Sequence, residues 1–352
     1  MKNRFQLFTI LCSALLLLSA CERPPIKSTQ LGFRGTAMAD IKNPRIEASL
    51  VSTNTAPPST GAAPAEGDKA GKAYKNVQVL NNLSVAQFTT FMVSMASWVA
   101  PNEGCTYCHN PANFAEDSKY TKIVARKMIQ MTQGINTGWQ DHVKETGVTC
   151  YTCHRGNNIP KNVWFKSPKQ AGGHMLGNLN GQNNPMESTA YTSMPNEPFS
   201  RYILENHPAR IQGNTGLPTG NKHTIQETET VYSFMNHLSK SLGVNCTYCH
   251  NSRAFSDWSQ SRPQRAQAWH AIQMLKDVNN DYMVPLTGVF PEHRLGPTGD
   301  VAKANCATCH QGINKPLYGV SMLGDYPFLT GPKKQQANAT TEGGKTTSVA
   351  MK

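Results

Sequence analysis

Eight of the ten cysteines in this chain of 352 residues fall into one pattern used four times, Cys-x-x-Cys-His. The copies are Cys105-Thr-Tyr-Cys108-His109, Cys150-Tyr-Thr-Cys153-His154, Cys246-Thr-Tyr-Cys249-His250 and Cys306-Ala-Thr-Cys309-His310. Two thiols one helical turn apart can form thioethers with the two vinyl groups of a haem, while the adjacent imidazole turns onto its iron. Zinc sites also use Cys-x-x-Cys pairs and redox dithiols use one, but neither explains a His after every pair. The pattern predicts four covalently bound c-type haems, each with its own motif His as fifth iron ligand. Such cofactors would supply core volume to a chain that is only 38% hydrophobic and carries 27 Gly and 22 Pro. The expected fold is mainly α with long irregular connections, a multihaem cytochrome c.

The motifs pair off. Sites one and three share Cys-Thr-Tyr-Cys-His-Asn, and sites two and four share Cys-x-Thr-Cys-His-x-Gly. From Cys105 to Cys150 is 45 residues, and from Cys246 to Cys306 is 60. Ser84-x-x-Gln87 and Thr224-x-x-Glu227 both read as capping boxes that open a helix ending before an odd-numbered site. A second helical stretch follows each odd site, from Ser118 to Gln133 and from Pro263 to Asp277, with Pro263 suited to a helix start. Laid in register, Ile129 falls over Ile272 and Asn136 over Asn279, while Met128 faces Ala271 and His142 faces Pro285. These correspondences predict two internally duplicated two-haem halves related by pseudo-twofold symmetry. The expected organisation is a signal peptide over 1–20, an anchored amino-terminal segment and linker over 21–75, and a first dihaem half over 76–165. A connector over 166–222, a second half over 223–330 and a disordered tail over 331–352 complete it. Within this plan 56–67 reads as a flexible linker, and 164–217 as an aperiodic segment wrapping the domain.

The amino terminus has a basic start, an apolar run from Phe5 to Leu18, and then Leu18-Ser19-Ala20-Cys21. This reads as a secretory signal of the bacterial lipoprotein kind, with Cys21 as the lipid-bearing first residue of the mature chain. The apolar run is too short to span a bilayer comfortably, so the expected state is anchored rather than spanning. Export also fits an oxidising compartment. The formal charge of +12 includes Lys2 and Arg4, which leave with the signal, and about eight haem propionates would offset much of the rest. No Lys/Arg cluster is interleaved with aromatics, so no nucleic-acid partner is expected.

An iron that only transfers electrons needs a sixth ligand. A thioether raises the potential and a second imidazole lowers it. Spacing alone leaves the choices open: Met92 or Met95 at the first site, Met128 or Met131 at the second, Met235 or His237 at the third. Each of these Met could equally be a core residue lying on a porphyrin face. Lone loop histidines such as His174, His223 and His293 read as surface residues.

Trp98-Val-Ala-Pro101-Asn-Glu-Gly-Cys-Thr-Tyr-Cys-His109, Ile135-Asn-Thr-Gly-Trp139 with His142, Gly147-Val-Thr-Cys-Tyr-Thr-Cys-His-Arg-Gly156 and Leu242-Gly-Val-Asn-Cys-Thr-Tyr-Cys-His250 closely resemble the tetrahaem cytochrome subunit of purple-bacterial photosynthetic reaction centres. The resemblance runs from about Pro24 to Gly312. It implies Met92 with His109 at haem one, Met128 with His154 at haem two, Met235 with His250 at haem three, and His142 reaching across to join His310 at haem four. Arg265 is similar to the family arginine near a propionate of haem three. The resemblance further implies a row of haems in the order three, four, two, one, with haem three nearest the photo-oxidised bacteriochlorophyll pair of the membrane-embedded subunits. Electrons would come from a soluble c-type cytochrome or a high-potential iron-sulfur protein, on the periplasmic face of the photosynthetic membrane. The chain would then be an electron carrier and no enzyme. A multihaem oxidoreductase would need a five-coordinate haem with an open site, and a quinol-oxidising anchor protein would need a true membrane span and bis-His haems throughout.

Overall fold

A computed structural model describes residues 26–32, 35–168, 185–211 and 223–331. Cys21, His174 and the carboxy-terminal tail lie outside them. Two short strands, β1 (Lys27–Gln30) and β2 (Ala39–Lys42), pair antiparallel with Lys27 opposite Lys42. Helix α1 (Pro44–Asn54) follows, opened by Asn43, whose side chain accepts from the Arg45 amide at 3.0 Å, and by Pro44 at the first helical position. Each half then holds a long helix before its odd motif, another after it, and a one-turn helix at its even motif. In the first half these are α2 (Val85–Val99), α3 (Tyr120–Gly138) and α4 (Cys150–His154). In the second they are α5 (Ile225–Leu242), α6 (Pro263–Asp277) and α7 (Cys306–His310).

Both expected capping boxes are formed. Gln87 N donates to Ser84 Oγ at 3.0 Å, and Glu227 N donates to Thr224 Oγ1 at 3.1 Å, with the return bonds also made. Helix α3 begins two residues later than the periodicity suggests and ends five residues later. Helix α6 has the expected bounds but continues through a wider π turn, Val278–Met283, which has no counterpart after α3. Helix α5 stops at Gly243, whose φ of +61 only glycine holds without strain, and a Cβ there would strike the Gly312 carbonyl.

Three buried clusters hold the elements together. Leu80, Leu83, Phe91, Trp98 and Ile129 form the first, with Tyr326 and Leu329. Trp164, Phe199, Tyr202, Ile203, Val231, Phe234 and Leu275 form the second. Ile135 meets Met274 and Val278 between them. A fully buried side chain of this size contributes roughly 1.5–3 kcal/mol. The cores are capped in a crossed manner: the chain returns at 322–329 to cover the first half, and the segment after Trp164 covers the second. The aperiodic connector is thus a supplier of core residues rather than a wrapping alone, because its Trp164, Phe199 and Tyr202 are needed to seal α5 and α6. Residues 56–67, read as a flexible linker, are instead a pinned strap. Ser59 Oγ donates to Asp325 at 2.7 Å, and Pro64 O accepts from the buried Ser84 hydroxyl at 2.5 Å. Local composition carried the linker reading, while its partners lie as far as 266 residues away.

Candidate functional site

The odd motifs sit on single 3₁₀ turns, Gly104–Tyr107 and Cys246–Tyr248, directly beyond the long helices α2 and α5. The even motifs are themselves the short helices α4 and α7. Both even motifs open alike, with Thr149 N donating to Thr152 Oγ1 at 3.0 Å and Asn305 N donating to Thr308 Oγ1 at 3.0 Å. Both close alike, with Arg155 and Gln311 in the left-handed region at φ +49. That bend carries the chain away immediately after the motif His and leaves the imidazole facing inward.

All four motif histidines are tethered in one way. Nδ1 of His109 bonds to the Phe114 carbonyl at 2.9 Å, and Nδ1 of His250 to the Phe255 carbonyl at 2.8 Å, five residues on in each case. Nδ1 of His154 bonds to the Asn157 carbonyl at 2.9 Å, and Nδ1 of His310 to the Ile313 carbonyl at 3.0 Å, three residues on. A carbonyl can only accept, so each ring carries its proton on Nδ1 and presents the Nε2 lone pair to a metal. Burial favours these neutral rings by lowering the pKa of His154 and His250, and it takes His310 down to about 4 with help from the facing His142.

His142 has the same arrangement without belonging to a motif, for its Nδ1 bonds to the Gln267 carbonyl on α6 at 3.2 Å. It lies on the short helix Gln140–Val143 of the first half, yet its ring centre is 6.0 Å from that of His310 in the second. Two imidazoles sharing one metal each sit about 2.0–2.1 Å from it through nitrogen, so their ring centres fall roughly 6 Å apart. The pair fits one iron between them. At the third site the two rival donors differ in what is left to give. His237 has both nitrogens engaged, Nδ1 with the Ser188 carbonyl at 2.6 Å and Nε2 with the Ser241 hydroxyl at 3.3 Å, and burial holds its pKa near about 4. Met235 is half-buried against the second core with no such engagement of its sulfur. Met92 and Met95, and likewise Met128 and Met131, line one cavity together.

That cavity, about 1510 Å³, runs continuously past motifs one, two and four and reaches Tyr248 and Cys249 of motif three. It exceeds the roughly 300–1,000 Å³ of an ordinary small-molecule site, and its walls are largely apolar. The donor chemistry fits haem: paired sulfurs, an apolar cleft, and the imidazoles of His109, His154 and His310 on its walls, while His250, Cys246 and Met235 of the third site lie outside its lining. Burial pushes the Cys150 and Cys306 thiols up to about 12 and that of Cys249 up to about 11, so none is poised as a redox thiolate. Among the described residues no three of His, Cys, Asp and Glu gather as a bare-metal site would require. Motifs two and four adjoin. Arg155 Nη2 donates to the Cys309 carbonyl at 3.0 Å, and Gln311 Nε2 returns a bond to the Cys153 carbonyl at 3.3 Å. The sulfurs of Cys153 and Cys309 are joined as a disulfide here, their Cα atoms 4.5 Å apart. A sulfur bound in a haem thioether cannot also take that bond.

Arg265 lies over the Trp258 ring at 4.0 Å and donates to Ser261 Oγ at 2.8 Å, close enough for its charge to act on His250 and Cys249. Sequence reasoning missed its neighbour Arg262, which donates to the Tyr248 carbonyl inside the third motif at 3.0 Å. It also missed the roles of Asn136 and Asn279, both fully buried. Asn136 exchanges bonds with the backbone of Val148, accepting at 2.7 Å and donating at 2.9 Å, and donates to Leu329 O at 2.9 Å. Asn279 does the same with Ala304, at 2.8 and 3.0 Å, and with Ile203 O at 2.9 Å. Each amide thereby fixes the residue two positions before an even motif and clamps the segment that covers its half. The signal was present in the sequence as two Asn in register.

Fold and site together define a c-type cytochrome, in which haem is held by cysteine thioethers and a motif histidine. The family profile of the photosynthetic reaction centre cytochrome c subunit matches residues 22–330. The chain is 51% identical over 328 residues to the photosynthetic reaction center cytochrome c subunit of Rubrivivax gelatinosus, covering 93% of this chain and 89% of that one. It is 44% identical over 322 residues to the corresponding subunit of Thermochromatium tepidum, covering 91% and 79%, and 41% identical over 280 residues to that of Roseobacter denitrificans, covering 76% and 75%. The chain belongs to the photosynthetic reaction centre cytochrome c subunit family, whose members carry electrons in photosynthesis and are not enzymes. Among the described residues no helix is long and apolar enough to cross a membrane.

Proposed function

We propose that this subunit holds four c-type haems in a row on the periplasmic face of the photosynthetic membrane and re-reduces the photo-oxidised bacteriochlorophyll pair. Electrons enter from a soluble c-type cytochrome or a high-potential iron-sulfur protein. The observation that carries the reading is the His142–His310 pair, two imidazoles from different halves set at the spacing of one iron.

In this reading Cys105 and Cys108, Cys150 and Cys153, Cys246 and Cys249, and Cys306 and Cys309 each hold one haem. Met92 with His109, Met128 with His154, Met235 with His250, and His142 with His310 would each hold one iron. Bound haem supplies a one-electron couple between ferric and ferrous iron. The chain's own residues do the rest. The backbone carbonyls hold every motif ring in the orientation that presents Nε2, and a second protein donor at each iron would leave no position for water or substrate. Arg265 holds positive charge beside the third motif, which suits a propionate there. The contact between motifs two and four supports the adjacency of haems four and two in the order three, four, two, one. It supports two duplicated halves with a pseudo-twofold between α4 and α7 as well.

The anchor reading gains support from the hairpin. Ala39 O accepts from Asn245 Nδ2 at 2.5 Å and from Thr247 Oγ1 at 3.2 Å, so β2 is seated on the third motif. Cys21 precedes Ile26 by five residues, a reach of at most about 17 Å. A lipid on Cys21 would therefore tether the haem-three end to the membrane, as transfer to the bacteriochlorophyll pair requires.

Intact mass of the purified holoprotein is expected to show four covalent haems, and the subunit is expected to co-purify with pigment-bearing membrane subunits. A flash should then oxidise haem within the complex. Fewer than four haems, or a Cys153–Cys309 disulfide surviving in the holoprotein, would refute the site reading. Absence of flash oxidation in a four-haem complex would refute the functional one. Spectral change on adding cyanide would favour the alternative, an oxidoreductase with an open haem.

A further inference from the structure

Lys122, on the first turn of α3, is buried at 8% exposure. An ammonium is almost never buried without partners. Its Nζ donates to three successive carbonyls, Phe114 and Ala115 at 2.8 Å and Glu116 at 2.9 Å, and meets Asp117 at 3.2 Å. Asp117 is shared, since Arg126 takes both of its oxygens at 2.8 and 2.9 Å. The other nearby acid, Glu116, is engaged by Ser118 and Asn110. The Phe114 carbonyl is the same one to which His109 donates. One oxygen thus joins a buried cation to the imidazole of the first motif.

We propose that Lys122 is a positioning residue that tunes haem one: by sharing the Phe114 carbonyl it weakens the acceptor available to His109 and raises the potential of that haem alone. Two effects act in the same direction. A hydrogen bond from Nδ1 to a good acceptor makes the ring a stronger donor and favours ferric iron, and a cation on that acceptor withdraws the effect. The positive charge also favours the less positive ferrous state directly. In register with Lys122 the second half has Arg265, which turns instead to Ser261 and the Trp258 ring. The two odd sites share a tether and differ in what acts on it.

The inference rests on the reading of His109 and Met92 as ligands of haem one, so the experiment separates the two. Met92→His should lower one of the four couples and thereby identify haem one. Lys122→Gln and Asp117→Asn holoproteins, each verified by intact mass to carry four haems, are then titrated potentiometrically, with Lys122→Arg as the charge-retaining control. Lys122→Gln should shift the haem-one ferrous-to-ferric ratio at fixed ambient potential roughly tenfold toward ferric, about 59 mV downward for a one-electron couple. Asp117→Asn should shift the same couple upward, and Lys122→Arg should restore most of the wild-type value. A merely structural brace predicts that Lys122→Arg departs from the wild-type potential as far as Lys122→Gln does. Unchanged haem-one potentials, shifts of the same sign in both variants, or equal shifts of all four couples would overturn the proposal. Should Lys122→Gln lose haem one, Lys122→Met decides: a downward shift confined to haem one upholds it, and no shift overturns it. If Met92→His moves no couple, the ligand reading fails and the proposal fails with it.

Discussion

The two halves are alike where backbone is held and unlike at several positions where an iron would be approached. Both open on a capping box, both tether the odd-motif histidine to a Phe carbonyl, and both clamp the even motif with a buried Asn. Against that common frame, Met128 stands where the second half has Ala271, His142 where it has Pro285, and Lys122 where it has Arg265. In that register the π turn Val278–Met283 falls over the last turn of α3 and the start of the short helix that bears His142. The difference teaches that two regions can share one backbone frame while the side chains set around an iron differ one position at a time. In the proposed reading the fourth site takes its second imidazole from the first half, where the register leaves Ala271 opposite Met128.

The largest effect expected from breaking this comparison comes from ligand exchange at the third site. Met235→His should fold with four haems and lower the haem-three potential by tenths of a volt, because a thioether favours ferrous iron and an imidazole does not. A titration returning the four wild-type potentials would point to another ligand.

The frame itself is tested by its amides. Asn279→Ala removes a fully buried group that satisfies three backbone partners, leaving them unpaired at a cost of about 3 kcal/mol. Asn136→Ala should cost a similar amount, and denaturant titration of both holoproteins measures it. Strongly unequal losses would mean that the halves are not equivalent where they look most alike.

A smaller effect belongs to the second half alone. Burial raises the Glu197 carboxyl to about 6 from an ordinary 4.5. The folded chain therefore takes up a proton that the unfolded chain releases. The contribution is full below about pH 4.5 and is lost as pH rises through 6. Glu197→Gln should gain about 2 kcal/mol at pH 7 and almost nothing at pH 4. A gain independent of pH would contradict this assignment.

Much of this was legible without coordinates. Cys-x-x-Cys-His is a local pattern, and capping boxes span three residues, so motif helices and their starts could be read from adjacent positions. The register that set Met128 over Ala271 also set Asn136 over Asn279, though the sequence offered no reason why the amides mattered. Their partners, Leu329 and Ile203, lie far along the chain. The strap at 56–67 was misread for the same reason. Its composition is that of a linker, and only contacts with Asp325, Tyr326 and Ser84 make it part of the fold. The sharing of one carbonyl by His109 and Lys122 is a three-dimensional coincidence with no periodic signature.

The central claim is that His142 of the first half serves the haem attached to Cys306 and Cys309 in the second. Sulfur-ligated ferric haems give a near-infrared charge-transfer band that bis-imidazole haems lack, so counting these bands in the fully oxidised wild-type holoprotein tests it directly. Three sulfur-to-iron bands are expected, rising to four in His142→Met with an increase in one potential. Four bands in the wild type would contradict the account, because Met274, which also lines the cavity, would then be the ligand of haem four.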